Sequence, residues 1–135
     1  MAEAATLFDK ALSNFNTARI LRRFMGDDEE QLNIIAFHLQ QALEFSIRYM
    51  LEMEGTEYPK THNIEQLIRI GIKAGADLRL PEYITDHSEM FSVWEERSRY
   101  ILGYLAEAEK IDRALKEVDA FLQSFHNDAL PEECI

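Results

Sequence analysis

Apolar residues recur at steps of three and four along most of this chain, the spacing that places side chains on one face of an α-helix. A first helix is predicted over residues 2–25, with a stripe formed by Phe8, Ala11, Leu12, Phe15, Ala18 and Leu21. Asp27 and Asp28 follow as candidate N-caps for a second helix. No sustained run alternates apolar and polar residues between hairpin turns. The pattern therefore predicts an all-α protein.

The second predicted helix continues to Gly55, and the rest of the chain is organised around it. Its stripe consists of Ile35, Leu39, Ala42, Leu43, Ile47, Met50 and Leu51. Gly55 suits the left-handed conformation that ends many helices. Asn63 is placed to cap the next helix, and Gln66 is placed to complete a capping box with it.

Three further helical patterns follow. The third predicted helix covers residues 64–74, the fourth begins at Pro81 and carries Phe91 and Trp94, and the fifth covers residues 105–125. Gly103 either kinks one continuous helix or separates the fourth helix from the fifth. Short linkers favour antiparallel neighbours, so we expect an up-and-down antiparallel bundle of four or five helices.

The length of 135 residues suits one domain. We assign residues 1–127 to the bundle and residues 128–135 to an acidic, flexible tail. No apolar run approaches the roughly 20 residues of a membrane span, and the N-terminus lacks a secretory signal pattern. The single cysteine, Cys134, excludes an internal disulfide. We expect a cytoplasmic protein that does not bind membranes.

The charge balance bears on the class of ligand. Fourteen Lys and Arg residues against 25 Asp and Glu residues give a net charge of −11. Binding to nucleic acid draws much of its affinity from Lys and Arg side chains that neutralise phosphates. We therefore expect no general affinity for DNA or RNA.

Three short segments resemble the HEPN domain family (higher eukaryotes and prokaryotes nucleotide-binding). They are the run HLQQA at 38–42, the run KTHN at 60–63 and the run ERSRY at 96–100, within a resemblance that covers about residues 5–125. The resemblance implies a small all-α bundle that forms dimers. It also implies work beside a separately encoded nucleotidyltransferase, as in many members, or ribonuclease activity, as in a subset.

The ribonuclease members carry an Arg and, after four to six intervening residues, a His. Beyond Arg97 the corresponding positions hold Leu102, Gly103 and Tyr104, and beyond Arg99 they hold Tyr104, Leu105 and Ala106. Imidazole is the natural proton shuttle near neutral pH, and a phenol with a pKa near 10 is a poor substitute. We therefore expect no catalytic residues, although a ribonuclease with an altered active site remains an alternative.

Other catalytic chemistries find little support in the sequence. A di-iron bundle needs Glu and His three residues apart on one helix, and no histidine here has a carboxylate three residues before it. No Gly-rich phosphate loop is present. We expect no metal and no cofactor apart from a nucleotide ligand. His38 is expected to be a hydrogen-bonded histidine at the edge of the core.

The candidate binding residues are Arg97, Arg99 and Tyr100, with Lys60 and His62 as a second group. Arginine presents a planar fork that matches phosphate oxygens, and a tyrosine ring can stack on a base. The competing interpretation is a solvated helical surface whose arginines pair with neighbouring acids. The expected function is a non-catalytic binding module that forms homodimers and engages a nucleotide or a nucleotidyltransferase. A plain interaction scaffold is a further alternative.

Overall fold

The computed structural model describes the backbone of residues 2–100 and 105–129 and the side chains of residues 6–95 and 105–125. All regular structure in these ranges is helical, so the predicted all-α class is confirmed. The helices are α1 (Ala2–Phe24), α2 (Gln31–Met53), α3 (Ile64–Lys73), α4 (Glu82–Asp86), α5 (Ser88–Tyr100) and α6 (Ala108–Ala129). None of the described helices is both long enough and apolar enough to cross a membrane.

Helix α2 is the centre of the molecule. It packs against α1 along most of its length and also contacts α3, α5 and α6. Its predicted stripe is buried, as shown by Ile35, Leu39 and Ile47, which have no exposed surface. Because one helix touches four others, a single continuous core forms around it.

The long helices alternate in direction. The early part of α1 meets the late part of α2, where the ring centroids of Phe8 and Tyr49 are 5.1 Å apart. Helix α6 is antiparallel to α1, since Phe125 packs on Phe8 with a centroid separation of 6.2 Å and Asp112 pairs with Arg22 at the other end. The observed topology is the predicted up-and-down bundle.

The fourth predicted helix is divided in two. Helix α4 ends before His87, whose φ of −111° and ψ of 19° lie outside the α region. His87 Nδ1 lies 2.8 Å from the carbonyl oxygen of Tyr83, and Nδ1–H donates to it. The backbone amide of His87 donates to the same carbonyl at 3.0 Å, so the Tyr83 oxygen accepts two hydrogen bonds at the break, and the helix restarts at Ser88.

The fourth and fifth predicted helices are separate. Residues 105–107 are not helical, so α5 and α6 are not one continuous helix. Gly103, the expected point of division, lies outside the described residues. Helix α6 begins at Ala108 and extends to Ala129, whereas the fifth helix was predicted over residues 105–125. Residues 130–135 of the predicted tail also lie outside the described part.

The predicted cap of α3 is confirmed in one direction. The side chain of Asn63 accepts a hydrogen bond of 3.0 Å from the backbone amide of Gln66. The reciprocal contact is wrong, because the amide of Asn63 donates to the Thr61 hydroxyl instead. The predicted N-caps of α2 are wrong: Glu30, and neither Asp27 nor Asp28, precedes the helix, and its side chain makes no cap hydrogen bond. Asp28 instead accepts from the amide of Glu30 in the turn before α2.

Candidate anion-binding site at the α2–α3 turn

Lys60 and His62, the second predicted pair, lie in the turn between α2 and α3. This turn runs back along α2, since the Tyr58 hydroxyl bonds Glu52 and His62 bonds Glu44, two helical turns earlier. Lys60 and His62 are both exposed. The turn therefore presents two basic side chains at the surface beside the central helix.

Glu44 is the buried anchor of this arrangement. Its side chain is 1 % exposed, yet its carboxylate accepts from three donors. Gln40 Nε2 lies 2.9 Å from Oε1, Arg48 Nη2 lies 3.0 Å from Oε2, and His62 Nδ1 lies 3.1 Å from Oε1. A buried carboxylate needs such partners, because desolvation of an unpaired charge costs several kcal/mol. The Glu44 carboxylate is thus buried and paired within the fold, and it is not available to a ligand.

His62 is held at one ring nitrogen and open at the other side. Its Nδ1 faces both oxygens of the Glu44 carboxylate, at 3.1 and 3.2 Å, while 62 % of the side chain is exposed. A hydrogen bond at one nitrogen fixes the tautomer and the orientation of the ring. Nε2 is left as the nitrogen that a ligand can contact.

The same α2 side chains fasten the backbone of the turn. Arg48 Nη2 donates to the carbonyl of Thr61 at 2.9 Å, and Gln40 Nε2 donates to the carbonyl of His62 at 3.3 Å. Arg48 Nε is buried and has no hydrogen-bond partner among the described residues. Residues 40, 44 and 48 are spaced by one helical turn each, so they form a polar line that receives the turn.

Arg97, Arg99 and Tyr100, the first predicted group, fall on the last turn of α5, and their side chains lie outside the described residues. A side chain of α5 reaches the α2–α3 turn where the Ser92 hydroxyl lies 3.5 Å from the Asn63 side-chain oxygen. Arg99 follows Ser92 by almost two full turns, or about 10 Å along the axis, and therefore shares its helical face. Arg97 is roughly 140° away around the helix.

Sequence reasoning missed Glu44 and Arg48. A Glu and an Arg four residues apart are typical of a solvated helical surface, and nothing in the local sequence marks these two as buried. The available signal was the line of polar positions at 40, 44 and 48 on a helix whose other residues are mostly apolar. The sequence identified Gln40 and Gln41 only as polar residues of the central helix and predicted no role for them.

His38 occupies the expected place at the edge of the core. Its Nδ1 lies 2.8 Å from Asn14 Oδ1 on α1, and burial lowers the pKa of the imidazole. Among the described residues, no three His, Cys, Asp or Glu side chains converge closely enough to hold a metal ion.

One of three comparisons with known proteins agrees with the resemblance seen in the sequence. Neither the curated proteins nor the solved structures contain a match to this chain. The sequence model of the HEPN domain, in contrast, matches residues 4–128, which is nearly the whole chain. This chain belongs to the HEPN domain family.

Proposed function

We propose that this protein is a non-catalytic HEPN binding module that forms homodimers and engages a nucleotide or a separately encoded nucleotidyltransferase. The observation that carries the nucleotide part is the fixed orientation of His62. Its Nδ1–H donates to the buried Glu44 carboxylate, so Nε2 is held at the surface, where the protonated ring can donate to a phosphate oxygen.

Electrostatics favour the same place. In a chain with a net charge of −11, an anion binds only where several cations converge, because the wider field repels it. Lys60 is exposed beside His62, and Arg99 shares the face of α5 that carries Ser92. The phosphates of a nucleotide would lie between the α2–α3 turn and this face of α5, with Arg97 and Tyr100 as further candidates.

The proposal of a non-catalytic role rests on the sequence. No His occupies the positions beyond Arg97 and Arg99 at which the ribonuclease members carry one. His62 does not replace it, since it precedes these arginines and its Nδ1 is bound to a carboxylate that Arg48 shares.

Isothermal titration calorimetry with ATP and with GTP tests the nucleotide site. Each charge-assisted contact to phosphate contributes roughly 1.5–3 kcal/mol, so Arg99→Ala, Lys60→Ala and His62→Ala should each weaken binding about tenfold or more. Lys116→Ala on α6 is the matched control, because Lys116 is exposed and lies on a helix outside the site. It should leave the affinity unchanged.

The outcomes separate the alternatives. If all four variants bind the nucleotide with wild-type affinity, the nucleotide site lies elsewhere on the protein. If neither ATP nor GTP gives a binding heat, the remaining hypotheses are a module that binds a nucleotidyltransferase and a plain interaction scaffold. Co-purification with a small nucleotidyltransferase encoded beside this gene would then distinguish these two.

A further inference from the structure

The His62 ring can meet a ligand in two chemically different states. Its Nδ1 lies 3.1 and 3.2 Å from the two oxygens of the Glu44 carboxylate, which accept a hydrogen from it in both states. In the neutral ring, Nε2 therefore holds a lone pair and accepts hydrogen bonds, whereas in the protonated ring Nε2–H donates one. The oxygens of a phosphate or sulfate are acceptors as well. Only the protonated ring can therefore bind an anion through Nε2.

The hydrogen bonds around Glu44 run in one direction and hold this arrangement. The Glu44 side chain is 1 % exposed and pairs with Arg48 Nη2 at 3.0 Å. An ionised carboxylate only accepts, so Gln40 Nε2 donates to it at 2.9 Å, as His62 Nδ1–H does. Gln41 Nε2 occupies the oxygen of the Gln40 amide at 2.5 Å, which leaves the Gln40 nitrogen to face Glu44. The tautomer of the imidazole is thus set by groups inside the fold.

The charge offered to a ligand depends on the state of the ring. Arg48 balances the buried Glu44 carboxylate, so this pair adds no net charge. Lys60 is exposed two residues before His62 and carries a permanent positive charge. Together Lys60 and His62 carry one positive charge when the ring is neutral and two when it is protonated. Two positive charges match the terminal phosphate of a nucleotide, which is close to doubly ionised at neutral pH.

The other charged side chains near the ring do not change this dependence on its state. Besides Glu44 and Arg48 of α2, the described charged residues on the elements around the ring are Glu57 and Lys60 of the turn, Glu65 and Arg69 of α3, and Glu89 and Glu95 of α5. Arg69 binds Glu65 at 2.6 Å, and the α5 side chain that reaches the turn is the uncharged Ser92. Histidine is the side chain that ordinarily changes charge between pH 5 and pH 8. Among these groups, the imidazole is therefore the one that titrates near neutral pH.

We propose that the anion site is proton-coupled: binding of a doubly charged phosphate group is accompanied by uptake of one proton from solvent at His62 Nε2. The site then binds tightly at mildly acidic pH and weakly above neutral pH, and it favours a terminal phosphate over a singly charged phosphodiester. The inference rests on the proposed nucleotide site and adds its regulation and the class of phosphate that it takes. No covalent bond is formed, and the proton returns to solvent when the anion leaves.

Calorimetric titration with sulfate at pH 6.0, pH 7.0 and pH 8.0 tests the coupling. Sulfate stays doubly charged throughout this range, so a change in affinity belongs to the protein, and chloride keeps the ionic strength constant. The affinity should fall about tenfold from pH 6.0 to pH 8.0, because one charge-assisted contact is lost. Titrations at pH 7.0 in two buffers of different ionisation enthalpy should show uptake of about half a proton or more for each sulfate bound.

His62→Gln separates the proton from the contact. Glutamine keeps a donor for the anion but does not titrate, so its weaker sulfate affinity should not vary with pH and its proton uptake should disappear. His38→Gln is the matched control, since His38 is the α2 histidine that bonds Asn14 on α1, away from the turn. It should keep the pH dependence of the wild type. A wild-type pH dependence in His62→Gln would overturn the proposal.

The class of phosphate is tested with AMP and 3′,5′-cyclic AMP at pH 7.0. The two ligands share a base and a sugar, but the monoester is close to doubly charged and the diester is singly charged. AMP should bind several-fold more tightly, and this preference should shrink in His62→Gln. Equal affinities of the wild type for AMP and cyclic AMP would refute the preference for a terminal phosphate.

The remaining outcomes separate this inference from the proposed function. If sulfate and ATP bind without proton uptake, the coupling is refuted and the nucleotide site stands. If sulfate binds with proton uptake but neither ATP nor GTP binds, the proton-coupled anion site stands and the nucleotide proposal fails. If neither sulfate nor a nucleotide binds at any of the three pH values, both are refuted.

Discussion

His38 illustrates how one titratable side chain couples this fold to pH. The imidazole lies between α1 and α2, where Asn14 accepts its hydrogen bond and burial lowers its pKa below the usual 6.5. The unfolded chain binds a proton at about pH 6.5, whereas the folded chain binds it only at lower pH. Stability contributed by neutral His38 is therefore present above pH 6.5 and is lost as the pH falls toward the folded pKa.

We expect the unfolding free energy of His38→Gln to fall less than that of the wild type between pH 7.5 and pH 5.5. Glutamine keeps a donor for Asn14 but does not titrate. Urea denaturation at a series of pH values, at one fixed protein concentration, measures the difference. Parallel curves for the two proteins would contradict the assignment of this pH dependence to His38.

At the scale of elements, the polar line on α2 holds the α2–α3 turn in place. Gln40 and Arg48 each bind the Glu44 carboxylate and a carbonyl of the turn, and the Arg48 side chain is only 18 % exposed. Removal of one partner from a buried ion pair leaves an uncompensated charge, which typically costs 3–5 kcal/mol. The turn is therefore as much a part of the packed structure as the helices that it joins.

Glu44→Ala should lower the unfolding free energy by roughly 3–5 kcal/mol in urea denaturation. The comparison is Asp112→Ala, which removes the 2.7 Å pair between Arg22 and Asp112. Asp112 is 54 % exposed, and a pair of this kind contributes about 1 kcal/mol or less. Similar losses in both variants would mean that burial of the Glu44 cluster adds nothing to its strength.

The net charge acts on the molecule as a whole. A chain at −11 repels a polyanion at distances up to a Debye length of about 10 Å at moderate salt. Discrete cations such as Lys60 attract a small anion only at short range. The proposed ligand is accordingly a small anion at a local site, and we expect no binding of a long nucleic acid.

Incubation with single-stranded RNA should accordingly leave the RNA intact, at protein concentrations at which a family member with the Arg and His motif cuts it. The expectation follows from the absent His and from the negative field. Gel analysis of end-labelled RNA measures it. Cleavage that disappears in Arg99→Ala would instead support the ribonuclease with an altered active site.

The sequence by itself determined the helices, the central place of α2 and the family. Periodicity is a local property, so the stripe of Ile35, Leu39 and Ile47 predicts a buried helical face without knowledge of its partners. The cap at Asn63 could be predicted for the same reason, because its acceptor and donor lie three residues apart. The break at His87 was not visible, since the histidine continues the apolar spacing of Ile84 and Phe91, and nothing local in the sequence predicts its φ and ψ outside the α region.

Tertiary structure alone decided what surrounds the candidate site. Arg22 suited the negative end of the α1 dipole, yet it pairs with Asp112, which is 90 residues distant in sequence. Glu44 and Arg48 have the spacing of a surface pair, and they are buried only because a turn from residues 56–63 folds back over them. Burial depends on which segments pack together, so the local sequence of a helix does not predict which of its polar residues will be covered. His62 could be named from the sequence, but its buried anchor could not.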